Sequence, residues 1–239
     1  YPITVQDFFD HQTIAALAAK AMERMGQAPS TPAQELQQET RTASVVDIPI
    51  SGIKEQPRFI LLTGVTGYLG AHLLYELLKQ TEAHVACLVR GRDQAEAVNR
   101  LQETMCFYFP DEALDLTRMS AVCGDIARDG LGLAPDDERF LGETDTVVHC
   151  AADVRHYGEY AQFHAVNVRG TQLMLDFAQR VNCRRFHYIS TMGVSGDYVP
   201  HMSQIVFKET DYDRGQDFAN VYARSKHAAE GLVRSAIER

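Results

Sequence analysis

The chain has 239 residues, 45% of them hydrophobic, and 32 acidic against 23 basic side chains give a net charge of −9. That is enough sequence to bury a sizeable core in one large α/β domain, or in a domain with a fragment beside it, and an acidic balance without a basic stripe excludes a nucleic-acid binder. No apolar run reaches the roughly 18 residues of a membrane helix, the N-terminus lacks a signal-peptide pattern, and five widely separated cysteines make neither a disulfide framework nor a zinc site.

Residues 1–25 read as a unit of their own. Thr13 is placed to cap a helix whose one face carries Ile14, Leu17, Ala18, Ala21 and Met25. From residue 26 to 57 the composition shifts to a linker rich in Gln, Thr, Ser and Glu and punctuated by Pro29, Pro32, Pro49 and Pro57. Thr31 and Pro32 can open one short helix there, and Val45, Val46, Ile48 and Ile50 are apolar enough to lie against the next domain.

Residues 58–239 hold the organising stretch. Phe59 to Leu62 is a short apolar run suited to a buried parallel strand, three glycines follow at Gly64, Gly67 and Gly70, and leucines then recur at helical spacing. Strand, glycine turn and helix form the setting of a dinucleotide fingerprint, in which the helix N-terminus faces a pyrophosphate. Four more strands are expected at residues 84–89, 119–123, 146–150 and 185–189, giving a Rossmann-type, doubly wound parallel α/β sheet. Cys87 and Cys150 fall in these strands, so the cysteines are expected as small buried hydrophobes of a reducing, cytoplasmic protein. Between the last two strands a helical pattern from Phe163 to Gln179 is expected to bury Leu173, Leu175 and Phe177.

The second strand ends in Arg90-Gly91-Arg92 where an NAD site would place a carboxylate for the ribose 2′-hydroxyl. Guanidinium groups there pair with a 2′-phosphate, which favours NADP(H); the alternative is a pair of surface charges. Asp93 caps the next helix. Asp125, after the third strand, can accept from an adenine amino group or cap a turn. Ala151 and Ala152 leave room for the nicotinamide half of a cofactor, and the fifth strand delivers Ser190 and Thr191. His149 is expected to be structural. Tyr222 and Lys226 are four apart on a final helix and so share a face. An ammonium one turn away stabilises a phenolate and should draw the tyrosine pKa down toward the working range, while Thr191 offers a hydroxyl to a carbonyl oxygen.

TGVTGYLG (63–70), LVRGR (88–92), GDI (124–126), HCAADV (149–154), NVRGT (167–171), YISTMGV (188–194) and YARSK (222–226) together resemble the extended short-chain dehydrogenase/reductase superfamily. Within it the chain looks like the thioester reductase domains of nonribosomal peptide and polyketide synthetases. ITVQDFFDHQTIAALA in turn resembles the last helices of an acyl or peptidyl carrier domain, whose phosphopantetheine serine is not among these residues. The resemblance implies that Thr191, Tyr222 and Lys226 are catalytic, with Asn167 positioning the lysine through water. It assigns the cofactor to Thr63, Gly64, Thr66, Gly67, Tyr68, Leu69, Gly70, Arg90, Arg92, Asp125, Ile126, Ala151 and Ala152, together with Tyr222 and Lys226.

It further implies NADPH-dependent reductive release of a carrier-bound thioester as an aldehyde, or onward to the alcohol, in company with upstream synthetase domains. A carboxylic acid or fatty acyl reductase would keep the same residues, and a non-redox domain that binds carriers or cyclises substrate would keep the fold. The family places further strands and a smaller substrate domain after the final helix. The chain is therefore expected to be a truncated reductase with impaired turnover and an open fifth-strand edge prone to self-association.

Overall fold

A computed structural model describes residues 18–20, 22, 56–111, 115–155, 157–196 and 206–237. The chain divides into Tyr1–Ile53 and Lys54–Arg239. In the first unit residues 18–20 and 22 are helical; the rest of the expected carrier remnant, and the linker up to residue 55, lie outside the described residues.

The second unit carries a five-stranded sheet. Its strands are β1 (Phe59–Thr63), β2 (His84–Val89), β3 (Met119–Cys123), β4 (Thr146–His149) and β5 (Arg185–Tyr188), in the order β3-β2-β1-β4-β5. Every pairing is parallel. The crossovers are α1 (Tyr68–Gln80), α2 (Gln94–Tyr108), α3 (Pro135–Leu141) and a continuous helical run of α4 (Tyr160–Phe163), a π-turn (His164–Arg169) and α5 (Gly170–Arg180); α6 (Val221–Ile237) follows β5.

Alternation along the strands sends successive apolar side chains to opposite faces, and both faces are covered. Ile60, Leu62, Val85 and Cys87 pack with Leu74 and Leu78 of α1 and Leu101 and Met105 of α2. Leu61, Ala86, Leu88 and Val147 pack on the other face with Leu141, Met174 and Phe177. Fully burying one such side chain contributes roughly 1.5–3 kcal/mol.

Two expectations differ from what is seen. α5 buries Met174, Phe177 and Ala178 and leaves Leu173 and Leu175 half-buried. Residues spaced by two cannot share a helix face, whereas Gly170, Met174, Phe177 and Ala178 can. Cys106 is exposed on α2 rather than buried, although Cys87 is fully enclosed.

Local chemistry fixes the element ends. Asp93 accepts from the Glu96 N–H at 2.8 Å and so caps α2. Arg118 closes the far end of α1, donating to the carbonyls of Leu78, Thr81 and Ala83. Asp145 Oδ2 accepts from the Arg58 N–H at 2.9 Å and anchors the entry to β1 beside β4.

Candidate active site

The strand order reverses between β1 and β4, and the crevice beyond the C-terminal ends of the strands is where such sheets place ligands. A cavity of about 780 Å³ occupies it. One wall is the glycine turn. Gly64 adopts φ +78°, and a Cβ there would stand 2.6 Å from the Ala151 nitrogen, so both conformation and space require glycine. A Cβ on Gly70 would stand 2.2 Å from the Gly64 carbonyl oxygen, which explains how α1 starts so close against the turn. Tyr68, Leu69 and Gly70, the first residues of α1, line the cavity, and a helix N-terminus is a setting suited to phosphate oxygens.

Thr63, Gly64 and residues 66–70 all line this cavity, as do Arg90, Asp125, Ile126, Ala151, Ala152, Thr191, Tyr222 and Lys226. Two residues expected in the site do not. Arg92 turns outward, its Nε 2.7 Å from Glu96 Oε2 in an exposed i,i+4 pair on the first turn of α2. Asn167 lies behind the wall, inside the π-turn. Asp125 caps a turn, accepting from the Ala127 N–H at 2.9 Å, while also facing the cavity.

Thr191 and Tyr222 line the cavity together, with the Thr191 hydroxyl close enough to act on the Tyr222 phenol. Thr191 sits just past β5 and caps a short 3-10 turn (Met192–Ser195). Tyr222 is on the first turn of α6, where Asn220 Oδ1 accepts from the Ala223 N–H at 2.7 Å. Lys226, one turn on, is buried; its ammonium donates to the Ile189 carbonyl at 2.6 Å and stands 4.0 Å above the Tyr188 ring. Burial draws the Lys226 pKa down to about 8, the strongest effect on it. Tyr222 departs from the expected direction. Burial pushes the phenol up, and the hydrogen bond from Thr191 only partly opposes this. With its ammonium committed to the Ile189 carbonyl, Lys226 is not among the groups that move the Tyr222 phenol.

Behind the cavity runs a string of buried polar groups that the sequence did not reveal as a unit. Thr63 Oγ1 accepts from the N–H groups of Cys150 (3.2 Å) and Ala151 (3.1 Å), so its own proton goes to His149 Nδ1 at 2.8 Å. The ring proton is therefore on Nε2 and is donated to Thr171 Oγ1 at 3.1 Å, while Thr171 donates to the Asn167 carbonyl at 2.7 Å. Asn167 Nδ2 donates to Ser225 Oγ at 2.8 Å and to the Asp153 carbonyl at 2.9 Å, and Ser225 donates to the Tyr222 carbonyl at 2.7 Å.

Thr63, His149, Asn167, Thr171 and Ser225 are each no more than 1% exposed. Burial lowers the His149 pKa to about 3, so the ring is neutral, as the bonding pattern requires. Asn167 thus holds the start of α6 and the loop after β4 directly, without a bond to Lys226. His149 was legible as structural; its partners, 86 and 22 residues away, were not. The cavity also takes in Asp153 and Arg155, paired at 2.6 Å, and the half-buried Cys150; Cys150 and Asp153 fall in the HCAADV motif, which assigns them no role, and Arg155 lies just beyond it.

This fold and crevice define a dinucleotide-binding α/β protein of the short-chain dehydrogenase/reductase superfamily. Residues 62–239 match the NAD-binding family described as Male sterility protein, and the chain belongs to that family. It is similar to a linear gramicidin synthase of Brevibacillus parabrevis, 30% identical over 245 residues that cover 99% of this chain and 5% of the relative. Among solved structures it is similar to the terminal R domain from the myxalamid PKS-NRPS biosynthetic pathway, with 34% identity and a TM-score of 0.69 over 78% of this chain and 47% of that one. A thiolation-reductase di-domain from an archaeal non-ribosomal peptide synthetase is also similar, with 32% identity and a TM-score of 0.65 over 77% of this chain and 50% of that one. The chain therefore spans about half of each of these solved chains and a small part of the gramicidin synthase.

Proposed function

We propose that this chain is the nicotinamide-binding part of a reductase that releases a carrier-bound acyl or peptidyl thioester as an aldehyde or alcohol, using NADP(H). The observation that carries the reading is the convergence of Thr191, Tyr222 and Lys226 on the same crevice as the glycine turn. The similar R domain and thiolation-reductase di-domain support it.

The residues present fit a dinucleotide. The glycine at φ +78° and the N-terminus of α1 form a cradle for a diphosphate, Asp125 and Ile126 border the adenine side, and Ala151 and Ala152 leave the opposite side open. Arg90 faces the cavity and would take the 2′-phosphate; Arg92 is occupied by Glu96. When bound, the reduced cofactor supplies hydride to the thioester carbonyl carbon. Thr191 and Tyr222 place two hydroxyls where negative charge develops on the carbonyl oxygen, and the phenol of Tyr222 delivers the proton to it; the C–S bond of the resulting hemithioacetal then breaks, leaving the aldehyde and the free thiol of the phosphopantetheine arm. Lys226 brings positive charge to the same crevice, and Asn167, through Ser225, fixes the helix turn that bears Tyr222.

In this reading residues 1–25 are carrier-derived and residues 26–57 the linker, which the likeness to a thiolation-reductase di-domain supports. The substrate then arrives on a carrier protein from upstream synthetase domains, in the cytoplasm. Among the described residues no helix is long and apolar enough to cross a membrane. Among the described residues β5 is an edge strand of the sheet, which supports self-association.

The test is single-turnover oxidation of NADPH with an acyl-phosphopantetheinyl thioester, with the aldehyde trapped. Tyr222→Phe should lower the rate about 100-fold or more while NADPH still binds. A variant that keeps the full rate would remove Tyr222 from the chemistry.

A further inference from the structure

Glu230 stands one turn beyond Lys226 on α6 and reaches one other segment directly and a second through Arg234. Its Oε2 accepts from Ser190 Oγ at 2.7 Å, in the strand end that leads directly into Thr191. Its Oε1 lies 3.3 Å from Arg234 Nε, and Arg234 in turn donates to the carbonyls of Glu209 and Asp211 at 3.0 Å. The carboxylate is mostly enclosed, with 18% of its side chain exposed.

The surroundings of Lys226 give this carboxylate its weight. From the end of β4 the lysine is faced by His149 and Cys150, from β5 by Tyr188, and from its own helix by Glu230, while Tyr222 lines the same cavity. His149 is neutral. Burial pushes the Cys150 thiol and the phenols of Tyr188 and Tyr222 up, so none of these is an anion near neutral pH. Among the described groups facing Lys226, Glu230 is the standing negative charge, shared with Arg234.

We propose that Glu230 is a positioning residue of the reductive site: its charge keeps Lys226 an ammonium, and its bond to Ser190 clamps the strand end carrying Thr191 onto α6. This rests on the reading of Lys226 and Thr191 as reductive residues. A lysine desolvated as Lys226 is would otherwise lose its proton close to physiological pH, and the crevice would lose its positive charge.

The experiment follows the ionisation of Lys226 without cofactor, by NMR of protein labelled with ¹³C-lysine, with Lys226→Met identifying the resonance. The wild-type midpoint is expected near 8. Glu230→Gln keeps an acceptor for Ser190 but removes the charge, and should move the midpoint down by about half a pH unit or more. Glu230→Asp keeps the charge and should stay near wild type, and Ser190→Ala should leave the midpoint unmoved. A parallel titration of NADPH binding by fluorescence should show its alkaline loss shifted downward in Glu230→Gln alone. The inference is overturned if Glu230→Gln and wild type share one midpoint, or if Glu230→Asp falls as far as Glu230→Gln. If the lysine midpoint shifts as expected but NADPH binds to none of the proteins, the charge relation stands and the proposed cofactor reading fails.

Discussion

Arg90 and Arg92, with a single glycine between them, would be interchangeable on charge alone, yet only Arg90 lines the cavity. Arg90 ends β2 at the cavity, whereas Arg92 is held by Glu96 as soon as α2 begins. Arg90→Ala should therefore weaken NADPH binding about tenfold or more, with little change for NADH, because a charge-assisted contact to phosphate is lost. Arg92→Ala should leave both affinities close to wild type. Fluorescence titration of the two cofactors against both variants checks this, and equal losses in the two variants would count against the assignment. The Tyr222 and Lys226 pair was legible from its helical spacing, and the glycine turn from its setting between strand and helix. What each side chain bonds was not legible. Neither the contact of Lys226 with the Ile189 carbonyl nor that of Glu230 with Ser190 follows from spacing, since they span 37 and 40 residues.

At the scale of elements, β1 to β4 were readable because they are short, largely apolar runs, and both sheet faces being covered makes those runs nearly continuous, whereas the edge strand β5 is more polar and only partly buried. Helix phase was less legible. The π-turn over His164–Arg169 leaves no mark in composition, and it lets Asn167 reach Asp153 and Ser225 while Thr171 reaches His149. The string thus fastens β1, β4, the π-turn and α6 to each other. Thr171→Val keeps the shape but leaves the His149 Nε2–H without its acceptor, and an orphaned buried donor costs roughly 1–3 kcal/mol. Urea unfolding should show that loss. Ser225→Ala removes the next acceptor along, and because both act on Asn167 the two losses should not add in the double variant. Strict additivity would mean that the string does not behave as one unit.

For the whole Lys54–Arg239 unit, the same string makes stability depend on pH well above the carboxylate range. His149 titrates at about 3 when folded, against an ordinary value of 6.5. Its folded pKa is depressed, so between those limits the unfolded chain binds a proton that the folded chain refuses. Stability from this group is complete above about pH 6.5 and falls as pH drops toward 3, at up to about 1.4 kcal/mol per pH unit. His84, also lowered by burial, acts in the same direction. Asp153 is held low by Arg155, and Asp211 by the Lys208 N–H; their contribution is lost only further down, as pH falls through the ordinary carboxylate range. Between about pH 7.5 and 5 the wild-type unfolding free energy should thus drop by about 2 kcal/mol on account of His149. His149→Gln should start from a lower stability, since Thr63 and Thr171 lose an ideal partner, yet decline much less over that interval. Urea titrations of both proteins at several pH values measure the two slopes, and equal slopes would show that the ring is not the neutral hub through which Thr63 is joined to Thr171.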